Sequence, residues 1–177
     1  MGGVEVSKLQ WRTFDFDDIF SISSGVRLTA SDMSVGDKPF IGASDSNNGI
    51  TAWVGNTNNS EDCNVLGVNY NGSVCEAFYH PYDCIFSDDV KRLQCKQINH
   101  NANSSKYIYL FLKQAILQQK SKYAYGYKFN AHRMKQQNIL LPALPDGAPD
   151  WQFMEAYMRN VESGQIAKYL ATKLSVV

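Results

Sequence analysis

In the first half of the chain, apolar positions come in short runs set between turns rich in Asn, Asp, Gly and Ser, a pattern that predicts many short strands. Residues 39–42, 49–54 and 65–70 are extended candidates. Asp45-Ser46-Asn47-Asn48-Gly49 and Asn71-Gly72 are turns, because Asn and Gly tolerate positive φ without steric penalty. Residues 11–20 mix aromatics with Asp15, Asp17 and Asp18 and predict a short strand running into a capped helical turn. Residues 21–29 alternate around Gly25. Residues 74–79 and 84–86 are further strands on either side of Pro81. Residues 90–95 alternate apolar and basic side chains and are expected to close the sheet.

The period then changes. Ile108, Phe111, Leu112, Ala115 and Ile116 recur at steps of three and four, which marks one face of a helix over residues 106–120. Ser104 or Ser105 is placed as its N-cap. Asn130 is placed to cap a short helix ending at Gln136, followed by a strand at Ile139-Leu140-Leu141 that Pro142 should terminate. After a Pro/Gly-rich joint at 145–150, Asp150 is the expected N-cap of a last helix starting at Trp151. Met154, Tyr157, Met158 and Val161 form one apolar stripe of that helix. Ile166, Leu170, Leu174 and Val177 form a second, and the five-residue step between the stripes, spanning Ser163-Gly164, predicts a bend or split. The expected fold class is α+β: a mixed, largely antiparallel sheet domain with packed helices, over residues 1–148. A C-terminal spacer-type helical segment follows at 149–177.

Composition supports one folded domain: 177 residues, 44% hydrophobic and 19% charged, enough to bury a core without staples. No apolar run approaches the ~18 residues of a membrane span. The acidic start has no signal-peptide h-region, so a cytoplasmic protein is expected, with Cys63, Cys75, Cys84 and Cys95 reduced and several of them in core strands. Their spacing suits no zinc site, and nothing points to a cofactor.

Charge changes the picture more. The net charge is zero, yet residues 1–90 hold 13 acids and 4 bases, residues 91–135 hold 10 bases and no acid, and residues 136–177 hold 4 acids and 3 bases. Such segregation implies either a surface for a polyanion or pairing of the blocks in space. The isoelectric point near 6.8 is lower than most DNA-binding modules show.

Candidate chemistry is sparse. Nucleophile-elbow, phosphate-loop and zinc-protease motifs are missing. Asn69-Tyr70-Asn71-Gly72 is superficially similar to the Asn-Pro-Pro-aromatic loop of amino methyltransferases but lacks both prolines, so a hairpin turn explains it better. His80, between Tyr79 and Pro81, reads as a packed residue. Asp83, with Asp89-Val90-Lys91, has the acid and acid-x-Lys pattern of Mg²⁺-dependent nucleases, in which carboxylates hold the metal and the ammonium supports the attacking water. Against it, the acids flank one short strand instead of converging from two. The richest segment is 120–135, where Tyr123, Tyr125, Tyr127 and Phe129 alternate among Lys120, Lys122, Lys128, Arg133 and Lys135. An extended ribbon would set the tyrosines on one face and the polar groups on the other, which suits phosphate and base contacts. It suits equally an edge strand guarded by lysines.

Taken in order, PFIGASDSNNGIT (39–51), VNYNGSVCEAFYHPYDCIFSDDV (68–90), YIYLFL (107–112) and NILLP (138–142) resemble a target-recognition domain. Such domains belong to the specificity subunits of type I restriction–modification systems and related type II enzymes. The acidic "DIF" step before Gly25 fits the same pattern, so the resemblance spans residues 11–142. It implies an α/β recognition domain joined to a long spacer helix, each domain reading one half of a split double-stranded DNA target. It implies no chemistry in the subunit itself, which would direct methyltransferase (modification) and restriction subunits. By the same resemblance, Asn71 and Ser73 of the Asn71-Gly72-Ser73 turn and the ribbon around Tyr125 fall where DNA-facing loops are expected. Arg27 and Asn47 mark further candidate loops. The text ALPDGAPDWQFMEAYM after 142 is closer to the type II relatives. With a single recognition domain, the chain is expected to be either a half-subunit that pairs through its C-terminal helix with a second copy or a second recognition domain, or a piece of something larger.

Overall fold

The computed structural model describes residues 9–99, 103, 105–123 and 134–174, with only the backbone of 122 and 123. Nine strands are seen among these residues: β1 (Gln10–Asp15), β2 (Phe20–Ser24), β3 (Val35–Ile41), β4 (Ile50–Val54), β5 (Val65–Asn69), β6 (Ala77–His80), β7 (Ile85–Phe86), β8 (Val90–Cys95) and β9 (Asn138–Ala143). The helices are α1 (Phe16–Ile19), α2 (Ser105–Leu117) and α3 (Trp151–Leu174). Strands order as β2-β8-β5-β6, β4-β3-β7 and β1-β9. Every strand pair is antiparallel except β3 with β7, so the expected α+β class with a largely antiparallel sheet stands.

All five residues of β5 are buried, because the four-stranded sheet is covered on both faces. Leu66 and Val68 join Leu93, Cys95 and the apolar stripe of α2 (Ile108, Leu112, Ile116) in the main core, together with Ile139 and Leu141 of β9 and Met154 of α3. Val65 turns the other way, into a smaller cluster with Ile41, Cys84, Phe86 and Val90. Burying the four apolar residues Leu66, Val68, Leu112 and Ile116 stabilises the packing of α2 by roughly 1.5–3 kcal/mol per side chain. Cys75, Cys84 and Cys95 are buried free thiols, and Cys63 is an exposed one. Burial pushes the first two up to about 12 and Cys95 to about 11.

Four sequence expectations change. Strand β8 lies inside its sheet, between β2 and β5, instead of closing an edge: its alternation of Val90, Leu93 and Cys95 with Lys91 and Arg92 reflects burial on two sides. Strand β9 runs through Pro142 to Ala143, with Pro142 opposite Trp11, because a proline fits the outer edge of a two-stranded ribbon. Helix α3 is continuous through Ser163 and Gly164; Gly164 has nothing near it, so no packing force acts there to break the helix. Ser105 is already the first helical residue of α2, while Ser104 and Asn130 lie outside the described residues. Asp150 does cap α3, its Oδ1 accepting from Phe153 N–H at 2.8 Å.

Candidate nucleic-acid interface

The loops at one end of the four-stranded sheet are laced into a single rim by backbone hydrogen bonds. Gly25 N–H donates to Val90 O at 3.1 Å and Val26 N–H to Phe86 O at 2.8 Å. Ser87 N–H donates to Ile41 O at 2.8 Å, and Tyr70 N–H to Asp89 O at 3.1 Å. Asn69 Nδ2 donates to Ser44 O at 2.9 Å. The approach is close enough that a Cβ on residue 25 would lie 2.0 Å from Ser87 O, so this crossing requires glycine. Four segments of distant sequence therefore share one end of the domain.

Arg27 stands exposed on this rim, 3.8 Å from Asp88. Asn71 and Ser73 lie on the turn after β5, and Asn71 Nδ2 donates to Asp89 Oδ1 at 2.9 Å. Lys120 reaches the same turn and pairs with Glu76; that pairing raises its pKa above the ordinary lysine value. Asn47 is exposed with left-handed backbone (φ 49°), and its half-buried neighbour Asn48 is left-handed too (φ 53°), on the loop that Ser44 ties to Asn69. Lys135 is elsewhere. It lies 3.5 Å from Asp17 of α1, at the far end of the β2–β8 pair. Residues 120–123 form a 3-10 turn, not the start of an extended ribbon. The Lys122 side chain, Tyr125, Lys128 and Arg133 lie outside the described residues.

Much of the basic block pairs with the acidic ones. Arg92 meets Asp62 at 3.1 Å, Lys106 meets Glu162 of α3, and Lys120 and Lys135 are paired as above. Glu162 also accepts from Tyr107 Oη at 2.7 Å; the hydrogen bonds from Lys106 and Tyr107 hold its carboxyl below the usual range. The exposed pairs Lys106–Glu162 and Lys135–Asp17 contribute little to stability individually, while the rim itself carries Asp45, Glu76, Asp88 and Asp89 with Arg27 and Lys120.

Lys91, the cation of the acid-x-Lys pattern, lies inside the fold. The residue is almost fully buried (8% exposed); its ammonium donates to Ser24 Oγ at 2.9 Å and lies 4.1 Å from the centre of the Tyr70 ring. Burial lowers its pKa, partly offset by Asp88 and Asp89. The proposed nuclease partners are not assembled: Asp89 holds Asn71 beyond the end of β7, whereas the exposed Asp83 lies before β7, next to Cys63. Among the described residues, no group of three or more His, Cys, Asp and Glu side chains could hold a metal ion. No helix among them is long and apolar enough to cross a membrane.

A second concave feature lies between the β1–β9 ribbon, α2 and α3. This groove of about 650 Å³ is lined by Trp11, Phe111, Leu140, Phe153, Tyr157 and Met158, with Gln114 and Gln118 at its margin. Its apolar lining continues into the exposed stripe of α3 (Val161, Ile166, Leu170, Leu174).

This architecture is shared with solved structures. The type I restriction-modification S subunit from M. genitalium aligns with 98% of this chain and 44% of its own (TM-score 0.68, 12% identity). The HsdS subunit from Thermoanaerobacter tengcongensis aligns with 97% of this chain and 42% of its own (TM-score 0.62, 11% identity). The sequence profile of the type I restriction modification DNA specificity domain matches residues 8–169, and the chain belongs to that family. It is also 61% identical over 160 residues to the specificity subunit S.BcgI of a type II restriction enzyme from Heyndrickxia coagulans. The match takes in 90% of this chain and 46% of that protein, so the chain spans about half the length of this relative.

Proposed function

We propose that this chain reads one part of a double-stranded DNA target for a restriction–modification complex and carries out no chemistry itself. The observation that carries this reading is the 61% identity, over nine-tenths of the chain, to a protein named as a specificity subunit. The rim supports it: separate loops converge there, as a surface that reads base edges requires. Residues 1–148 act as the recognition domain and 149–177 as the spacing and assembly segment. At the rim Arg27 and Lys120, with Lys122, Lys128 and Arg133, serve phosphates, and Asn47, Asn71, Ser73 and Tyr125 serve base edges; Lys135, paired with Asp17 at the other end of the sheet, is left out of this surface. The paired cations trade a carboxylate for a phosphate on binding, which keeps the free domain near neutrality. A methyltransferase subunit and a restriction subunit use the recognised site, and the apolar stripe of α3 joins a second copy or a second recognition domain. Such a protein works in the cytoplasm, where its DNA is.

Selection of bound duplexes from a random pool tests this. A recurrent motif, bound with affinity that falls steeply as salt rises, is the expected result; sequence-indifferent or absent binding refutes it. The clean protein should not nick DNA with Mg²⁺. Mg²⁺-dependent nicking abolished by Asp89→Asn would restore the nuclease reading.

A further inference from the structure

The Asn71 amide reaches the rim already half committed. Its Nδ2 donates to Asp89 Oδ1 at 2.9 Å, and among the described residues this is the one partner of the side chain. A carboxylate only accepts, so Asp89 dictates which end of the amide faces it. Oδ1 and one N–H are left for another partner. Asp89 is itself fixed: its N–H donates to Ser87 Oγ at 3.3 Å and its carbonyl accepts from Tyr70 N–H at 3.1 Å. Lys91, seated between Ser24 and the Tyr70 ring, places a counter-charge near the carboxylate and so eases its approach to a phosphate-lined groove.

One acceptor beside one donor is the complement of adenine, which shows the N6 amino group as donor and N7 as acceptor in the major groove. Guanine shows two acceptors there. A free asparagine could turn both hydrogens of its NH₂ toward them, but here one hydrogen is taken by Asp89. The bond thus removes the option of guanine as much as it favours adenine. We propose, resting on the DNA-recognition reading above, that Asn71 is a specificity-determining residue that reads an adenine, and that Asp89 is the positioning residue that fixes its amide.

The test is duplex selection by the full chain, the Asn71→Ala variant and the Asp89→Asn variant, each first checked for cooperative thermal unfolding; Asp89→Ser replaces Asp89→Asn if that variant does not fold. The wild-type motif should contain an adenine column that Asn71→Ala loses while the other columns stand. Guanine at that position should cost the wild type about 10- to 100-fold in affinity and Asn71→Ala almost nothing. 7-Deazaadenine, which lacks the N7 acceptor, should weaken the wild type several-fold and leave Asn71→Ala unchanged. Asp89→Asn should relax adenine-over-guanine discrimination, whereas a merely structural Asp89 would lower affinity for all duplexes alike. A selected motif whose columns all survive Asn71→Ala overturns the inference while leaving DNA recognition intact. A wild type that selects no motif overturns the recognition reading first.

Discussion

His80 lies at the end of β6 with no exposed surface, and its burial, with a smaller contribution from Lys113, pushes its pKa down to about 4. The imidazole packs edge-on against Phe86 and Tyr82, and Nδ1 meets the Tyr82 hydroxyl at 3.3 Å. Among the described residues Nε2 has no hydrogen-bond partner; it faces Gly67, where a Cβ would come within 2.9 Å of it. Protonation would therefore bury an N⁺–H without an acceptor. In the unfolded chain the same ring titrates near 6.5. With the folded pKa depressed, the contribution is fully present above pH 6.5. It falls as pH drops, because the unfolded state then binds the proton that the folded state refuses. The slope approaches about 1.4 kcal/mol per pH unit, which gives a loss of roughly 1.5 kcal/mol between pH 6.5 and 5 and about 3 kcal/mol in all. Urea denaturation at pH 6.5 and pH 5 measures it, with His80→Leu as the control: whatever its own stability, the variant should lose about 1.5 kcal/mol less over that interval. The His80 ring signals should also stay unshifted in NMR spectra down to pH 5. A ring that titrates near 6.5 in the folded protein, or equal pH slopes for wild type and variant, refutes the argument.

Asp150→Ala removes the cap on Phe153 N–H and should cost about 1 kcal/mol in urea denaturation, most of which Asp150→Ser should retain. Val161→Glu combined with Leu170→Glu should leave thermal stability within about 0.5 kcal/mol, since both side chains are exposed, yet reduce association in sedimentation velocity experiments; an unchanged oligomeric state rejects α3 as the assembly surface. Lys122→Ala with Lys128→Ala should weaken binding to all duplexes alike and flatten the plot of log affinity against log salt by about 0.9 per lost phosphate contact; a folded double variant with the wild-type slope removes this segment from the interface.

The elements were legible wherever a local signal governed them. Turn residues bracket β3, β4 and β5, the three-and-four spacing of Ile108, Phe111, Leu112, Ala115 and Ile116 marks α2, and Asp150 stands where a cap must. Errors arose where a neighbour distant in sequence decided the outcome. Pro142 is tolerated because β1 lies on its inner side only, and α3 continues through Gly164 because nothing packs there to bend it. The candidate site was legible residue by residue but not as a place. Arg27 and Asn71 share the rim through the β2–β8–β5 pairing, and Lys120 reaches it from the turn after α2; no short motif encodes either approach. The burial of Lys91 was invisible because its partners, Ser24 and Tyr70, arrive from other strands. Its position in an alternating strand, on the same side as Leu93 and Cys95, was the available hint.

The ribbon edge at β9 restricts how anything can join this domain. Pro142 has no N–H to offer, and its carbonyl accepts from Asp150 N–H at 2.9 Å. One residue on, Ala143 is bridged to Pro149, and Leu144 N–H donates to Ala148 O. Here the outer margin is shut, with one donor missing by chemistry and its acceptors covered by the returning chain. A neighbouring polypeptide cannot add a strand at this stretch, because main-chain stickiness, which ignores sequence, finds no purchase. Attachment on this side must instead be through side chains, in the groove of Trp11 and Leu140 or along α3, where a single wrong residue is felt. The two prolines thus act as selectors of company: they turn away the promiscuous contact and leave the discriminating one.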